Sequence, residues 1–224
     1  MPDAMCGRYT LYHDEEDLSA LFELDAFPVA PRYNVAPTQT VPIVRAGEGG
    51  QRERLDARWG LVPAWVKEPS AFKALLFNAR SETVAEKPSF RDAARRARCA
   101  VPASGFFEWT VGDDGRKRPW YVHRRDGAPL VFAGLYAERS HGGPNLSTTI
   151  LTTEPNATLA ALHDRMPVVL DPAAIGRWLD PDQRDPHALD DLLVPCPDGW
   201  LEAYPVGPDV GNARVDDPRL IQRA

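Results

Sequence analysis

Short runs of β-branched, aromatic and aliphatic residues, each closed by a proline or a glycine turn, recur through most of this chain, and the pattern leaves room for few long helices. Strands are predicted over residues 40–45, 54–59, 99–103, 106–111, 120–123, 130–136 and 148–153. Gly47-Glu-Gly-Gly-Gln51 forms the turn between the first two, and Asp113-Asp-Gly115 closes a hairpin because its glycine accepts a positive φ. Helical periodicity is confined to 14–24, where Leu18, Leu21, Phe22 and Leu24 follow an acidic first turn, and to the stretches 89–98, 156–162, 172–179 and 186–193. Strands outnumber helices and do not alternate with them, so an α+β domain around a curved sheet fits better than a doubly wound fold. The 22 prolines lie among aromatic and apolar residues, which points to fixed loops rather than disorder. With no internal repeat and no long linker, one domain is expected.

Hydrophobic residues make up 43% of the 224, enough for a substantial core. No apolar run approaches the roughly 18 residues that span a bilayer, and the N-terminus lacks the basic and apolar regions of a signal peptide. A cytoplasmic protein with no membrane partner is therefore expected. Cys6, Cys99 and Cys196 lie far apart, which argues against a disulfide framework and a cysteine zinc site and leaves at least one free thiol. No metal or cofactor is implied. Residues 180–224 hold ten Asp or Glu against four Lys or Arg, which is the whole of the formal charge of −6, so residues 1–179 are neutral. A local basic groove is compatible with that balance. Arg91, Arg95, Arg96 and Arg98 form one basic cluster, for which a solvated helix face is the plainer reading.

The block Met5-Cys6-Gly7-Arg8 carries the most distinctive chemistry. A cysteine that becomes the first residue offers an α-amine and a thiol on adjacent carbons. Near neutral pH about a quarter of such amines are unprotonated, against about a thousandth of lysines. As written, Cys6 is internal and its nitrogen is an amide. The amine exists only if translation begins at Met5 or if residues 1–5 are removed.

Further segments are rich in polar chemistry: Arg32-Tyr-Asn-Val-Ala-Pro-Thr-Gln39, Arg58-Trp-Gly-Leu-Val-Pro-Ala-Trp65, Phe77-Asn-Ala-Arg-Ser-Glu82, Gly105-Phe-Phe-Glu-Trp109 and Leu162-His-Asp-Arg-Met-Pro167. Asn78 and Arg80, two apart, would share a face of an extended strand. Glu108 reads either as a solvent-facing strand residue or, among Phe106, Phe107 and Trp109, as a half-buried carboxylate suited to acid or base work. His163 reads equally as a structural or a catalytic histidine. Trp59 and Trp65 read first as core residues.

In their joint order these segments, with Cys6-Gly-Arg and a late Pro205-Val…Val210-Gly-Asn212, resemble the SRAP family, the SOS response-associated peptidases or abasic site processing proteins. The resemblance runs from Cys6 to about Gln222. It implies a barrel-like, mostly antiparallel sheet core flanked by short helices over residues 6–224, with 1–5 as an extension absent from the active form. It also implies a DNA-damage protein that binds abasic sites in single-stranded DNA and links to them through an N-terminal cysteine as a thiazolidine. Catalytic roles are implied for Cys6, for Asn78 in orienting amine and aldehyde, for Glu108 in moving protons, and for His163 in opening the sugar ring. DNA contacts are implied for Arg8, Arg80 and Arg165 on phosphates, Pro37 and Trp65 on bases, and Asn34 and Thr152 more weakly. The peptidase part of the name implies self-cleavage that exposes Cys6. Two departures stand out: most members begin Met-Cys, and Val66 stands where some relatives carry a second tryptophan. A monomer suffices for one lesion, and replication-associated proteins are implied as partners, with location at the nucleoid.

Other readings start from the same residues. Glutamine amidotransferases also begin Met-Cys-Gly, with the thiol as nucleophile and the α-amine as base, but their Arg-Gly-Pro-Asp-Gly segment has no counterpart here. A thiol protease could use Cys6 and His163. A non-catalytic single-stranded DNA-binding module would leave Cys6 merely packed.

Overall fold

The computed structural model describes residues 7–68, 72–139 and 146–224. The central sheet closes on itself. β3 (Thr40–Ala46) pairs antiparallel with β4 (Arg52–Trp59) from Thr40 opposite Arg58 to Ala46 opposite Arg52. On its other side β3 meets β6 (Arg98–Ala103) where Val44 faces Ala100. β6 pairs antiparallel with β9 (Leu130–Glu138), and β9 with β10 (Leu146–Thr153). β10 then runs parallel to β4, with Ser147 opposite Arg58, which completes a mixed barrel of β4, β3, β6, β9 and β10.

β10 holds further strands. β5 (Asn78–Arg80) runs parallel to it, and β11 (Met166–Pro167) antiparallel. Every residue of β10 after Leu146 is buried, although five of its eight residues are threonine or serine. Neighbours satisfy three of these hydroxyls: Thr148 Oγ1 donates to the Leu135 carbonyl at 2.9 Å and contacts Cys99 Sγ at 3.4 Å, Ser147 Oγ accepts from the Val62 N–H at 3.0 Å, and Thr152 Oγ1 donates to the Ala79 carbonyl at 3.4 Å. β-branched residues also suit this pleated, crowded surface.

A second, antiparallel sheet has the order β12 (Leu201–Pro205), β8 (Lys117–Arg124), β7 (Gly105–Val111), β1 (Tyr9–Leu11), β2 (Arg32–Val35). Strand alternation divides its side chains between two cores. Phe106 enters the main core with Tyr9, Trp59 and Phe132, where the Tyr9 and Trp59 rings stand edge-on at 5.2 Å. Phe107 points the other way into a smaller cluster with Tyr121, Val206, Val210 and Leu220. The C-terminal segment, which contributes the last three, therefore covers the outer face of this sheet.

The helices α1 (Glu15–Phe22), α2 (Arg91–Arg96), α3 (Ala157–Ala160) and α4 (Ile175–Leu179) are short. α1 is capped by the Asp14 side chain and buries Leu18 and Phe22, as its pattern predicts. The predicted helix over 89–98 ends early because Arg98 begins β6. Its guanidinium is buried and donates to the carbonyls of Ala94, Trp178, Asp180 and Gln183, so only Arg91, Arg95 and Arg96 of the basic cluster face solvent. Residues 186–193 form a 3-10 coil at Pro186–Leu192 in place of the predicted helix, with Leu189 and Leu193 buried and Leu192 packed against the core. β1, β2, β5, β11 and β12 are strands where the sequence pattern gave none, and the curved α+β architecture is as expected.

Candidate active site

The N-terminal strand leads into the site. β1 is the inner partner of both β2 and β7, with Tyr9 opposite Phe106 and Thr10 opposite Gly105. The Phe107 N–H donates to the Arg8 carbonyl at 2.9 Å, so the ladder continues and its register carries Gly7 opposite Glu108. Cys6 and the preceding five residues lie outside the described residues. Glu108 shares the face of Phe106 and is 1% exposed, deeper than its half-buried expectation. On the other flank, a side chain at Gly7 would touch the Phe77 ring at 3.9 Å. Phe77 is held through its carbonyl, which accepts from Trp59 Nε1 at 2.9 Å and from the Ile150 N–H at 3.0 Å. Its successor is Asn78.

Asn78 lies opposite Ile150 and Arg80 opposite Thr152, and the intervening Ala79 is buried, so Asn78 and Arg80 share the face that alternation predicts. The loop after α3 meets the same end of β10. Asn156 caps α3 by accepting from the Leu159 N–H, and the His163 N–H closes the turn onto the Leu159 carbonyl. Arg165 then reaches back: Nη1 and Nη2 grip the two oxygens of Glu82 at 2.5 and 2.7 Å, and Nη2 also donates to the Thr152 carbonyl at 2.7 Å. The Arg165 hydrogen bond, followed by smaller contributions that include Arg80, holds the Glu82 carboxyl below the usual carboxylate range. His163 Nδ1 accepts the Arg165 backbone N–H at 3.1 Å and lies 2.9 Å from Asp164 Oδ1. Three segments carrying Asn78 and Arg80, Thr152, and His163 and Arg165 are thus tied together, and Phe77 links them to the strand that carries Gly7.

Several predicted contacts have different work. Asn34 and Thr152 expose no surface, which corrects the expectation that they touch DNA directly. The Asn34 amide donates to the carbonyls of Val210, Asn212 and Val215, fastening the C-terminal segment to β2. Thr152 Oγ1 bonds to the Ala79 carbonyl inside the β5 pairing. Arg8 is largely committed to the same C-terminal segment, donating to Val210 O at 2.6 Å, Asn34 Oδ1 at 3.2 Å and Gly211 O at 3.4 Å, and burial lowers its pKa. Arg80 is exposed.

Pro37 is partly exposed and Trp65 is largely exposed. Ala36-Pro37-Thr38-Gln39 is a tight turn closed by Gln39 N–H to Ala36 O, with Pro37 at its second position and Thr38 at a φ of 77°. That left-handed conformation favours glycine, and a β-branched residue holds it at a cost of about 1–3 kcal/mol. The Thr38 N–H bond to the Trp59 carbonyl at 2.7 Å is one of the contacts that enforce it. Trp59 itself is fully buried, whereas Trp65 is 59% exposed, so only the first follows the core reading. Val66 turns inward and is buried. Glu82 gains importance that sequence reasoning missed. Its only signal was its place two residues after Arg80, and its partner stands 83 positions away.

Residues 5–213 match the family described as SOS response associated peptidase (SRAP). The chain belongs to this family. Among curated SRAP-like relatives, the abasic site processing protein YoqW of Bacillus subtilis (strain 168) is 38% identical, covering 97% of this chain and 99% of its own length. The abasic site processing protein YedK of Escherichia coli (strain K12) is 32% identical over the same shares. A crystal structure of a protein from Bacteroides thetaiotaomicron superposes with a TM-score of 0.84 at 26% identity, covering 98% of this chain and all of the other. The closed barrel and flanking sheet are thus an SRAP fold.

Proposed function

We propose that this protein processes abasic sites by binding single-stranded DNA around the lesion and trapping the sugar covalently on Cys6. The observation that carries the proposal is the course of the N-terminal strand: its register brings Gly7 opposite Glu108 and against Phe77, in a chain whose family relatives are named abasic site processing proteins. Gly7, the neighbour of Cys6 in the chain, is thereby flanked by a buried carboxylate and by the ring that precedes Asn78.

An abasic deoxyribose in its open form presents an aldehyde. The Cys6 α-amine adds to the aldehyde carbon, and loss of water gives an imine. The thiol sulfur then adds to the same carbon, its proton passing to the nitrogen, to close a five-membered thiazolidine. One aldehyde and one aminothiol give one ring and one water, with no oxidant or cofactor. Glu108 accepts and returns protons in imine formation and reversal, His163 protonates the ring oxygen as the sugar opens, and Asn78 orients the reactants. Arg80 offers the exposed phosphate contact, and the exposed Trp65 ring, with Pro37, offers stacking faces for flanking bases. The reactive form begins at Cys6, because an amide nitrogen does not form an imine. Hydrolysis of the Met5–Cys6 bond by the protein itself is the proposed route from the longer form.

The test mixes protein of confirmed mass with single-stranded DNA holding one abasic site and resolves the products on a denaturing gel. A covalent band from the form beginning at Cys6, absent in Cys6→Ala, is expected. No band from that form would overturn the proposal, and a band retained in Cys6→Ala would remove Cys6 from it. Glu108→Gln should slow crosslinking or its reversal; unchanged rates for both would take Glu108 out of the chemistry.

A further inference from the structure

We infer that Glu82 is a positioning residue, which through Arg165 sets the tautomer of His163 and couples the Asn78 strand to the histidine loop. This inference rests on the proposed reading of His163 as the acid that opens the sugar. His163 Nδ1 has two neighbours with opposite demands: the Arg165 backbone N–H at 3.1 Å needs a lone pair there, whereas Asp164 Oδ1 at 2.9 Å needs a proton. The Asp164 side chain is 86% exposed and can turn to water. The backbone donor cannot turn away, because the Arg165 side chain is anchored at its far end by both oxygens of Glu82 and by the Thr152 carbonyl. In the neutral ring the proton therefore sits on Nε2, the nitrogen left to face a substrate.

Glu82 has a second effect on the same surface. Arg80 is exposed and Arg165 is nearly buried, and the Glu82 carboxylate between them cancels one of the two charges. Arg165 spends both nitrogens of its fork on protein partners, so Arg80 carries the phosphate attraction at this end of the site. The two effects separate by substitution. Glu82→Gln removes the bidentate anchor and the negative charge together, and Glu82→Asp keeps the charge but falls one methylene short.

The deciding measurement is the nitrogen-15 spectrum of the imidazoles in DNA-free protein above the histidine titration range, with His163 assigned by its loss in His163→Gln. Wild type is expected to show an unprotonated Nδ1 and a protonated Nε2, and both Glu82 variants a mixture of tautomers. Saturating crosslinking should fall about tenfold in both, corresponding to about 1.4 kcal/mol of lost positioning. Binding of undamaged single strands should tighten in Glu82→Gln alone, its salt slope steepening by about 0.7 for one added charge. A protonated Nδ1 in wild type, or an unchanged tautomer in either folded variant, would overturn the inference. Because the spectrum contains no DNA, a wild type that forms no crosslink defeats the proposed function and leaves the tautomer result to be judged alone.

Discussion

Replacing Asn34 by alanine should unfasten the C-terminal segment and, with it, the guanidinium two residues from Cys6. The magnitude follows from the bonds lost. Asn34 Nδ2 serves carbonyls at 2.8, 3.0 and 3.3 Å, and its Oδ1 accepts from Arg8 at 3.2 Å. An amide has only two hydrogens, so the three donations count as about two neutral bonds of about 1 kcal/mol each, and the bond from charged Arg8 as about 1.5 kcal/mol. The total is about 3.5 kcal/mol, a large share of the roughly 5–15 kcal/mol that holds a domain. For a chain of this size Tm should fall by about 7–14 °C, at about 2–4 °C per kcal/mol. Urea unfolding gives the free energy, and amide exchange over residues 208–217 locates the loss. An Asn34→Ala protein within about 0.5 kcal/mol of wild type, with exchange unchanged in that segment, would refute the assignment of Asn34 as a fastener.

Trp65→Ala should weaken single-stranded DNA binding by about 1–3 kcal/mol, the usual worth of one stacked base, without moving Tm, because the indole is mostly exposed; anisotropy with labelled oligonucleotides reads the affinity. In Cys6→Ser protein no thiol should react quickly with a thiol reagent at pH 8, since burial pushes Cys99 up to about 12 and Cys196 up to about 11; both should appear on unfolding, and a fast thiol in the native protein would contradict their burial. Asp126, held down to about 2 chiefly by the Arg124 hydrogen bond, has a folded pKa below its ordinary 3.8, so its contribution is present above 3.8 and lost as pH falls toward 2. The stability gap between wild type and Asp126→Asn should close across that window, and a gap that widens there would contradict the pairing.

The long strands were legible because their residues alternate or stay continuously apolar over enough positions to be distinguished from loops. β1 and β5 are three residues each and owe their extension to partners across the fold: β1 is extended because β2 and β7 lie on either side of it, and β5 because β10 does. The site motifs carried residue types but not their partners. Arg98 and Asn34 look like surface chemistry in sequence, yet each is buried by carbonyls about 80 and 180 positions away. Arg165 likewise reads as a free cation until the fold supplies Glu82. Partial burial of Glu108 was legible from its aromatic neighbours, and only the packing of β7 onto the main core determines how deeply it sits.

Arg8 and Val210 are bonded across 202 residues of chain, and Arg32 and Asp216 across 184. Closing loops of that length costs conformational entropy before any contact is gained. On a ribosome, then, the segment that carries Arg8 is made first and fastened last. A chain still missing residues 208–216 has β1 already synthesised but lacks the strap that holds Arg8 and Asn34 beside it. Assembly of this site therefore coincides with completion of the chain.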